Sequence, residues 1–306
     1  MTTEAHFGPV IFGEVLFDQF PDGQRVLGGA PFNVAWHLQA FGLNPLLISR
    51  VGDDPCGRRI RQEMLDWKMN TAGLQLDSAH PTGLVDISFH EGEPHYNIVE
   101  NSAWDFIDPH AIPPIQSDAK TILYHGSLAL RNQHPEDHSS SAALQYLRQT
   151  YDFTTFVDIN LRPPWWSQSR VQDLIQHASH LKVNQDELAE IVPEEKTSQD
   201  RINYLLSLEA MQLLIVTMGE EGAMAINQQG VVEKVVPELT EYKGDVVGAG
   251  DAFTSIIILG LHYNWPLQTT LQRAQEFASK IVAIQGATTQ DSAFYKPLIE
   301  AWMPSC

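Results

Sequence analysis

Short apolar runs alternate with segments of helical period along almost the whole chain, and this rhythm restricts the fold more than any other feature. Residues 10–12, 45–51, 121–124, 154–159, 180–183 and 213–217 each read as a strand buried on both faces. Between them, apolar residues return three and four apart. Val34, Leu38 and Phe41 share one helical face ahead of Gly42, a C-terminal cap, and Ile60, Met64 and Trp67 share another after Pro55. The alternation predicts an α/β fold, a Rossmann-like and mostly parallel sheet with helices on both faces. Ligands of such sheets collect beyond the C-terminal strand ends. With 306 residues, 43% of them hydrophobic, the chain can bury the core of one such domain, spanning residues 1–306.

Two stretches break the rhythm. Residues 84–90 alternate polar and apolar, a turn falls at 91–94, and 95–100 complete a hairpin. Residues 15–27 carry their own turn at Pro21-Asp22-Gly23. Together they predict a small β-sheet lid, about 14–27 and 82–104, over the main sheet.

Charge narrows the partners. Asp and Glu outnumber Lys and Arg by 38 to 19, for a net charge of −19, which speaks against nucleic acid or an anionic membrane as a partner. A phosphate ligand would have to rely on backbone N–H groups, a helix N-terminus and a metal ion. Cys56 and Cys306 make neither a disulfide framework nor a metal pattern, and the twelve histidines include no zinc spacing. The start of the chain lacks a basic segment and an apolar run, and the apolar stretch 256–261 is too short to span a bilayer. The expectation is a soluble, cytoplasmic protein.

The chemistry concentrates near the C-terminus, in Asp245-Val246-Val247-Gly248-Ala249-Gly250-Asp251-Ala252-Phe253. A turn of small residues opens an apolar helix over 252–261. Gly248, Ala249 and Gly250 leave backbone N–H groups free to converge on an anion, and the helix dipole favours negative charge there. Asp251 sits at the edge of that cradle, where a carboxylate could take a proton from an attacking hydroxyl. The stretch is no Walker A loop, since Gly-Lys-Ser/Thr is missing, and no G-x-G-x-x-G follows the first strand, which argues against a nicotinamide-dependent oxidoreductase. Taken alone it could be an ordinary helix-capping turn. Two distant motifs argue otherwise: Gly28-Gly29-Ala30-Pro31-Phe32-Asn33, with Asn33 facing a polar ligand, and Lys182-Val183-Asn184-Gln185-Asp186-Glu187, whose Asn and Glu could reach one Mg²⁺ water shell.

These motifs resemble those of the PfkB, or ribokinase-like, family of sugar kinases, from Phe12 to about Ala287. The resemblance implies a kinase domain in which Asp251 is the catalytic base and Gly248, Ala249 and Gly250 supply the anion hole. It implies that Asn184 and Glu187 organise Mg²⁺ and phosphates, Glu187 through water, and that Thr217, Gly219 and Gly222 help hold ATP. On the sugar side it implies Asp18, Gly28, Gly29 and Asn33, with Asn160 and Arg162 of Asp158-Ile159-Asn160-Leu161-Arg162 beside them. Asp245 and the Val247 carbonyl would be candidate ligands for a monovalent cation such as K⁺. Gly-Gly-Ala-Pro-x-Asn, Tyr124-His125-Gly126-Ser127 and the run ending at Trp166 look most like fructokinases, with fructose and ATP as substrates and a homodimer joined through lids as an expected assembly. Glu100 stands where such enzymes often carry Arg, which disfavours a phosphorylated sugar, and Ile256 replaces a small residue of the signature. Ribose, 2-keto-3-deoxygluconate or a nucleoside are the other acceptors to weigh, and a non-catalytic sugar or nucleotide sensor is the alternative of a different class. His37, His125, Trp165 and Trp166 read as structural.

Overall fold

The computed structural model describes residues 8–90, 93–132, 139–237 and 247–303. Strands and helices are numbered along the chain. Nine strands form the main sheet: β1 (Val10–Phe12), β4 (Leu46–Gly52), β5 (Leu74–Asp77), β8 (Ile122–His125), β9 (Thr154–Asp158), β10 (His180–Asn184), β11 (Leu213–Thr217), β12 (Ala223–Asn227) and β13 (Val232–Val235). Their spatial order is β13-β12-β11-β10-β9-β8-β1-β4-β5, parallel from β11 to β5, with antiparallel β12 and β13 added at one edge. The six runs read as strands are all present, within a residue or two of the bounds that the apolar pattern sets.

Each strand feeds two cores, because successive side chains point to opposite faces. Ile11, Leu47, Tyr124 and Phe156 pack on one side, against α1 (Ala30–Ala40), α2 (Pro55–Asp66), α7 (Ala249–His262), α8 (Leu267–Val282) and α9 (Ser292–Trp302). Val10, Phe12, Ile48, Leu123 and Val157 pack on the other, against α3 (Ser140–Thr150), α4 (Gln168–Gln176), α5 (Gln185–Ile191) and α6 (Ser198–Leu206). Strands covered on both faces need continuous apolar runs, which is why they were readable. Ile256 is fully buried in the first core, so its bulk serves helix packing. Trp165 and Trp166 pack against the second, with the Arg131 guanidinium 4.7 Å from the Trp165 ring centre.

The two irregular stretches meet in a second sheet, of β3 (Arg25–Gly28), β2 (Leu16–Gln19), β6 (Gly83–His90) and β7 (Glu93–Ile98) in that order. Each stretch is an antiparallel hairpin, and β2 joins β6 in parallel through Leu16 opposite Gly83 and Asp18 opposite Val85. Residues 91 and 92 of the expected turn lie outside the described residues.

Helix α7 begins at Ala249, three residues earlier than the apolar run suggests. Gly248 is its N-terminal cap, at φ +81°, and a Cβ there would come within 2.5 Å of the Ala287 Cα. Only glycine fits that crossing. Asp251 is therefore inside the first turn and does not cap the helix.

Candidate active site

The chain leaves β1 at Gly13-Glu14, β8 at Gly126-Ser127, β9 after Asp158, β10 at Asn184 and β11 at Thr217, all on the C-terminal side of the sheet. β1 lies between β4, reached through α1, and β8, reached only after β5 and the hairpin at 83–98, so the strand order reverses there and the switch point of this α/β sheet lies beside β1. Helices α1 and α7 open onto the same region. Asn33, in the first turn of α1, donates from Nδ2 to Oδ2 of Asp251, in the first turn of α7, at 2.8 Å. Two helix N-termini and their dipoles thus converge on one carboxylate.

Gly29 makes the approach of α1 possible. It holds φ +109°, and a Cβ there would lie 2.7 Å from the Glu14 carbonyl oxygen. The Glu14 side chain, 4% exposed, accepts from the backbone N–H of Ala30 at the start of α1. Burial pushes its carboxyl up to about 7, and the Asp251 charge adds to the rise while Arg162 opposes it. Asp251 itself is raised to about 6, by burial first and by Asp158, against the lowering effects of the Asn33 hydrogen bond, Lys182 and Arg162. Asp18, on β2, rises to about 6 through burial, again opposed by Arg162. A carboxylate poised near 6 suits general-base work near neutral pH.

Beneath the loop lies a buried ion pair. Lys182 Nζ is 2.7 Å from Asp158 Oδ2, and the two residues face each other across neighbouring strands. The Thr254 hydroxyl, one turn beyond Asp251 on α7, lies 3.0 Å from the same oxygen and 2.9 Å from the Gly250 carbonyl. A Cβ at Gly250 would come within 3.8 Å of Lys182 Nζ, so the ammonium sits just under the glycine turn. Burial acts to lower the Lys182 pKa, but Asp158, Glu187 and Asp251 outweigh it and the ammonium stays charged.

Four buried polar atoms around Asp251 have no hydrogen-bond partner among the described residues: Glu14 Oε2, Asn33 Oδ1, Asp158 Oδ1 and the Tyr124 hydroxyl. Tyr124 is held well above its usual range by burial and by Asp158, Asp251 and Glu14, so it remains a donor. Buried polar atoms are normally satisfied. A donor and three acceptors in one place suit a ligand rich in hydroxyl groups.

The expected sugar-side residues fall around this group. A Cβ on Gly28 would stand 3.5 Å from Asp18 Oδ2, so the paired glycines lie against the lid carboxylate. Arg162 is exposed and influences Asp18, Glu14 and Asp251 electrostatically. Asn160 takes the left-handed conformation, φ +44°, in the bend between Asp158 and Arg162. Glu14, Lys182 and Tyr124 are the members that motif reading missed as site residues.

Asn184 and Glu187 stand at the turn from β10 into α5. They form a capping box on α5, with the Asn184 side chain accepting from the Glu187 N–H at 2.8 Å and Glu187 Oε2 accepting from the Asn184 N–H at 2.9 Å. The other Glu187 oxygen accepts from the Leu161 N–H at 2.7 Å. Glu187 therefore fixes the bend that carries Asn160 and Arg162 to the β10–α5 turn. Thr217 ends β11, and Gly219 and Gly222 bracket the following turn at φ +56° and +93°. Asp245 lies outside the described residues, while Val247 is exposed at the mouth of the glycine turn. Among the described residues no three His, Cys, Asp or Glu side chains cluster to hold a metal ion. Among the described residues no helix is long and apolar enough to cross a membrane.

The family model described as pfkB family carbohydrate kinase matches residues 9–293. The chain is similar to a fructokinase of Klebsiella pneumoniae, 31% identical over 265 residues covering 82% of this chain and 83% of the relative. Its fold is similar to that of a Vibrio cholerae fructokinase solved with fructose, ADP and calcium ion, with a TM-score of 0.77, 25% identity and coverage of 96% and 99%. An aminoimidazole riboside kinase from Salmonella enterica, solved with its riboside and an ATP analogue, also reaches a TM-score of 0.77, at 24% identity over 92% of this chain and 95% of that one.

Proposed function

Since this chain belongs to the pfkB family of carbohydrate kinases, we propose that it transfers the γ-phosphoryl group of ATP to a hydroxyl of D-fructose, with Asp251 as general base. The observation that carries the reading is the convergence of α1 and α7, where the Asn33 amide holds Asp251 beside the N–H groups of the glycine turn. In the reaction Asp251 removes the hydroxyl proton as that oxygen attacks the γ-phosphorus. The bond from phosphorus to the bridging oxygen breaks, ADP leaves with the electron pair, and the proton passes from Asp251 to water. Charge on the equatorial oxygens falls against the N–H groups of Gly248, Ala249 and Gly250 at the start of α7, with Lys182 just beneath. Mg²⁺, carried in on the nucleotide, would neutralise part of the phosphate charge. The capping box of Asn184 and Glu187 keeps the β10–α5 turn in place for the phosphates, and Thr217, Gly219 and Gly222 shape the nucleotide side. A monovalent cation held by Asp245 and the Val247 carbonyl belongs to the same reading.

Asp18, Gly28, Gly29, Asn33, Asn160 and Arg162 bind the sugar, and closure of the second sheet excludes water from the transfer. An unphosphorylated acceptor agrees with the charges at the rim. Glu100 is exposed just after β7, and the nearby Arg131 is clamped by both Asp105 oxygens at 2.8 Å, leaving it unavailable to a substrate phosphate. Fructose is favoured by the fructokinase relative and by the fructose-bound neighbour.

ADP release with Mg-ATP tests this across fructose, tagatose, ribose, 2-keto-3-deoxygluconate, fructose phosphates and nucleosides. Turnover with fructose at least about tenfold above every other acceptor is the expected result. A different preferred acceptor would replace fructose and keep Asp251 in place. Silence with all of them, with ATP still bound, would favour a non-catalytic sensor.

A further inference from the structure

A cleft of about 500 Å³ opens between α3 and α4, on the helical layer opposite α1 and α7. One face of α3 lends Ser141, Gln145 and Arg148, and one face of α4 lends Arg170, Asp173 and His177. Leu144 and Leu174 form its apolar floor. The spacing of three and four residues on each helix turns these side chains toward each other.

The charges in this cleft are only partly matched. Arg148 is largely buried, and its Nε has no hydrogen-bond partner among the described residues. Its nearest carboxylate, Asp173, lies 3.8 Å away and is 62% exposed. Arg170 is half-buried and has neither a carboxylate nor a hydrogen-bond partner among the described residues. Burial lowers the pKa of both guanidinium groups, for Arg148 against the opposing charge of Asp173. In a chain with a net charge of −19, carboxylates are abundant, yet among the described residues only Asp173 lines this cleft. Leaving one guanidinium group weakly paired and another without a partner, both partly desolvated, is costly unless an anion completes them.

We propose that the α3–α4 cleft is a binding site for a small phosphate monoester, held by the guanidinium groups of Arg148 and Arg170. Two guanidinium forks opposed by one outlying carboxylate suit a dianion with several equivalent oxygens. Ser141 and Gln145 offer polar contacts to the organic part. The volume lies in the range of small-molecule sites.

The site communicates with the crevice through three contacts. Arg148 Nη2 donates to His125 Nε2 at 3.1 Å, and His125 Nδ1 donates to the Gly126 carbonyl at 2.9 Å. Burial and the Arg148 charge hold the His125 pKa down to about 3, which keeps the ring neutral and able to accept. A Cβ on Gly126 would lie 3.5 Å from the Asp158 carbonyl oxygen, so this peptide packs on the strand end that carries the Lys182 partner. An anion that draws Arg148 outward weakens the His125 contact and loosens the β8–β9 end of the crevice.

Titration calorimetry of the full chain with inorganic phosphate, in the presence of saturating Mg-ADP to fill the nucleotide site, tests the assignment. One phosphate per chain is expected. Arg170→Ala, with folding checked by circular dichroism, is expected to weaken it by about tenfold or more. Phosphate is also expected to change the KM of the sugar in the unaltered protein and not in Arg170→Ala. Equal phosphate affinity in both proteins, or no binding beyond the nucleotide site, overturns the proposal. Succinate binding more tightly than phosphate overturns the assigned ligand class.

Discussion

Asn33 and Asp251, 218 positions apart, are joined by a 2.8 Å hydrogen bond between the first turns of two helices that open onto the same crevice. The amide donates to the ionised carboxylate and so lowers a pKa that burial raises. Asn33→Ala removes that donor and moves the Asp251 pKa upward. The acid limb of kcat/KM is expected to shift to higher pH, and the rate at pH 6.5 to fall more than the rate at pH 8. A limb that stays in place would separate Asn33 from Asp251 in function.

The pH profile of the unaltered protein follows from the same carboxylate. Asp251 must be ionised to accept a proton, and it is raised to about 6. Turnover is expected to be full at pH 7.5 and to fall as pH drops through about 6, well above the range of an ordinary aspartate. Initial rates of ADP release between pH 5 and 8.5 check it.

Stability has the opposite slope in that window. Glu14 holds its proton up to about 7 in the folded chain, against an ordinary value of 4.5. Between those values the folded state binds more protons than the unfolded state, so stability falls as pH rises, and the loss is complete above about 7. Glu14→Gln keeps an oxygen for the Ala30 N–H and removes the buried charge. It is expected to raise the unfolding free energy at pH 8 by at most about 3 kcal/mol and to leave it unchanged at pH 4. Urea titrations at the two pH values measure this directly.

The sequence made the sheet legible because strands covered on both faces must be apolar throughout. The glycine turn was legible only together with the distant Gly28–Asn33 and Lys182–Glu187 motifs, since small residues ahead of an apolar helix are also an ordinary capping turn. Glu14 was not. It follows Gly13 directly after β1, and its burial comes from α1 crossing close above it, a contact between distant parts of the chain. Lys182 interrupts an apolar strand, and a lysine in a doubly covered strand needs a buried partner. Asp158 provides it from the neighbouring strand, a pairing that strand order alone sets. The parallel join of β2 to β6 was hidden for the same reason. Asn184 and Glu187 were read as organising Mg²⁺, and the N-x-x-E spacing is also that of a capping box, which their side chains form.

Lys182→Met leaves Asp158 buried with only the Thr254 hydroxyl beside it. The expected cost is about 3–5 kcal/mol of stability, measured by urea denaturation. The double variant with Asp158→Asn is expected to recover much of that loss, because no uncompensated charge remains. If the double variant is no more stable than the single one, the pair does not act as a unit.

The central claim concerns Asp251, and its most direct test is the rate of ADP release by Asp251→Asn with saturating sugar and Mg-ATP. The amide keeps the shape of the side chain and can still accept from Asn33, so folding is expected to be intact. Turnover is expected to drop by roughly a hundred- to ten-thousandfold, the usual contribution of a general base. A variant that folds normally and turns over within about threefold of the unaltered protein would contradict the assignment of Asp251 as the base.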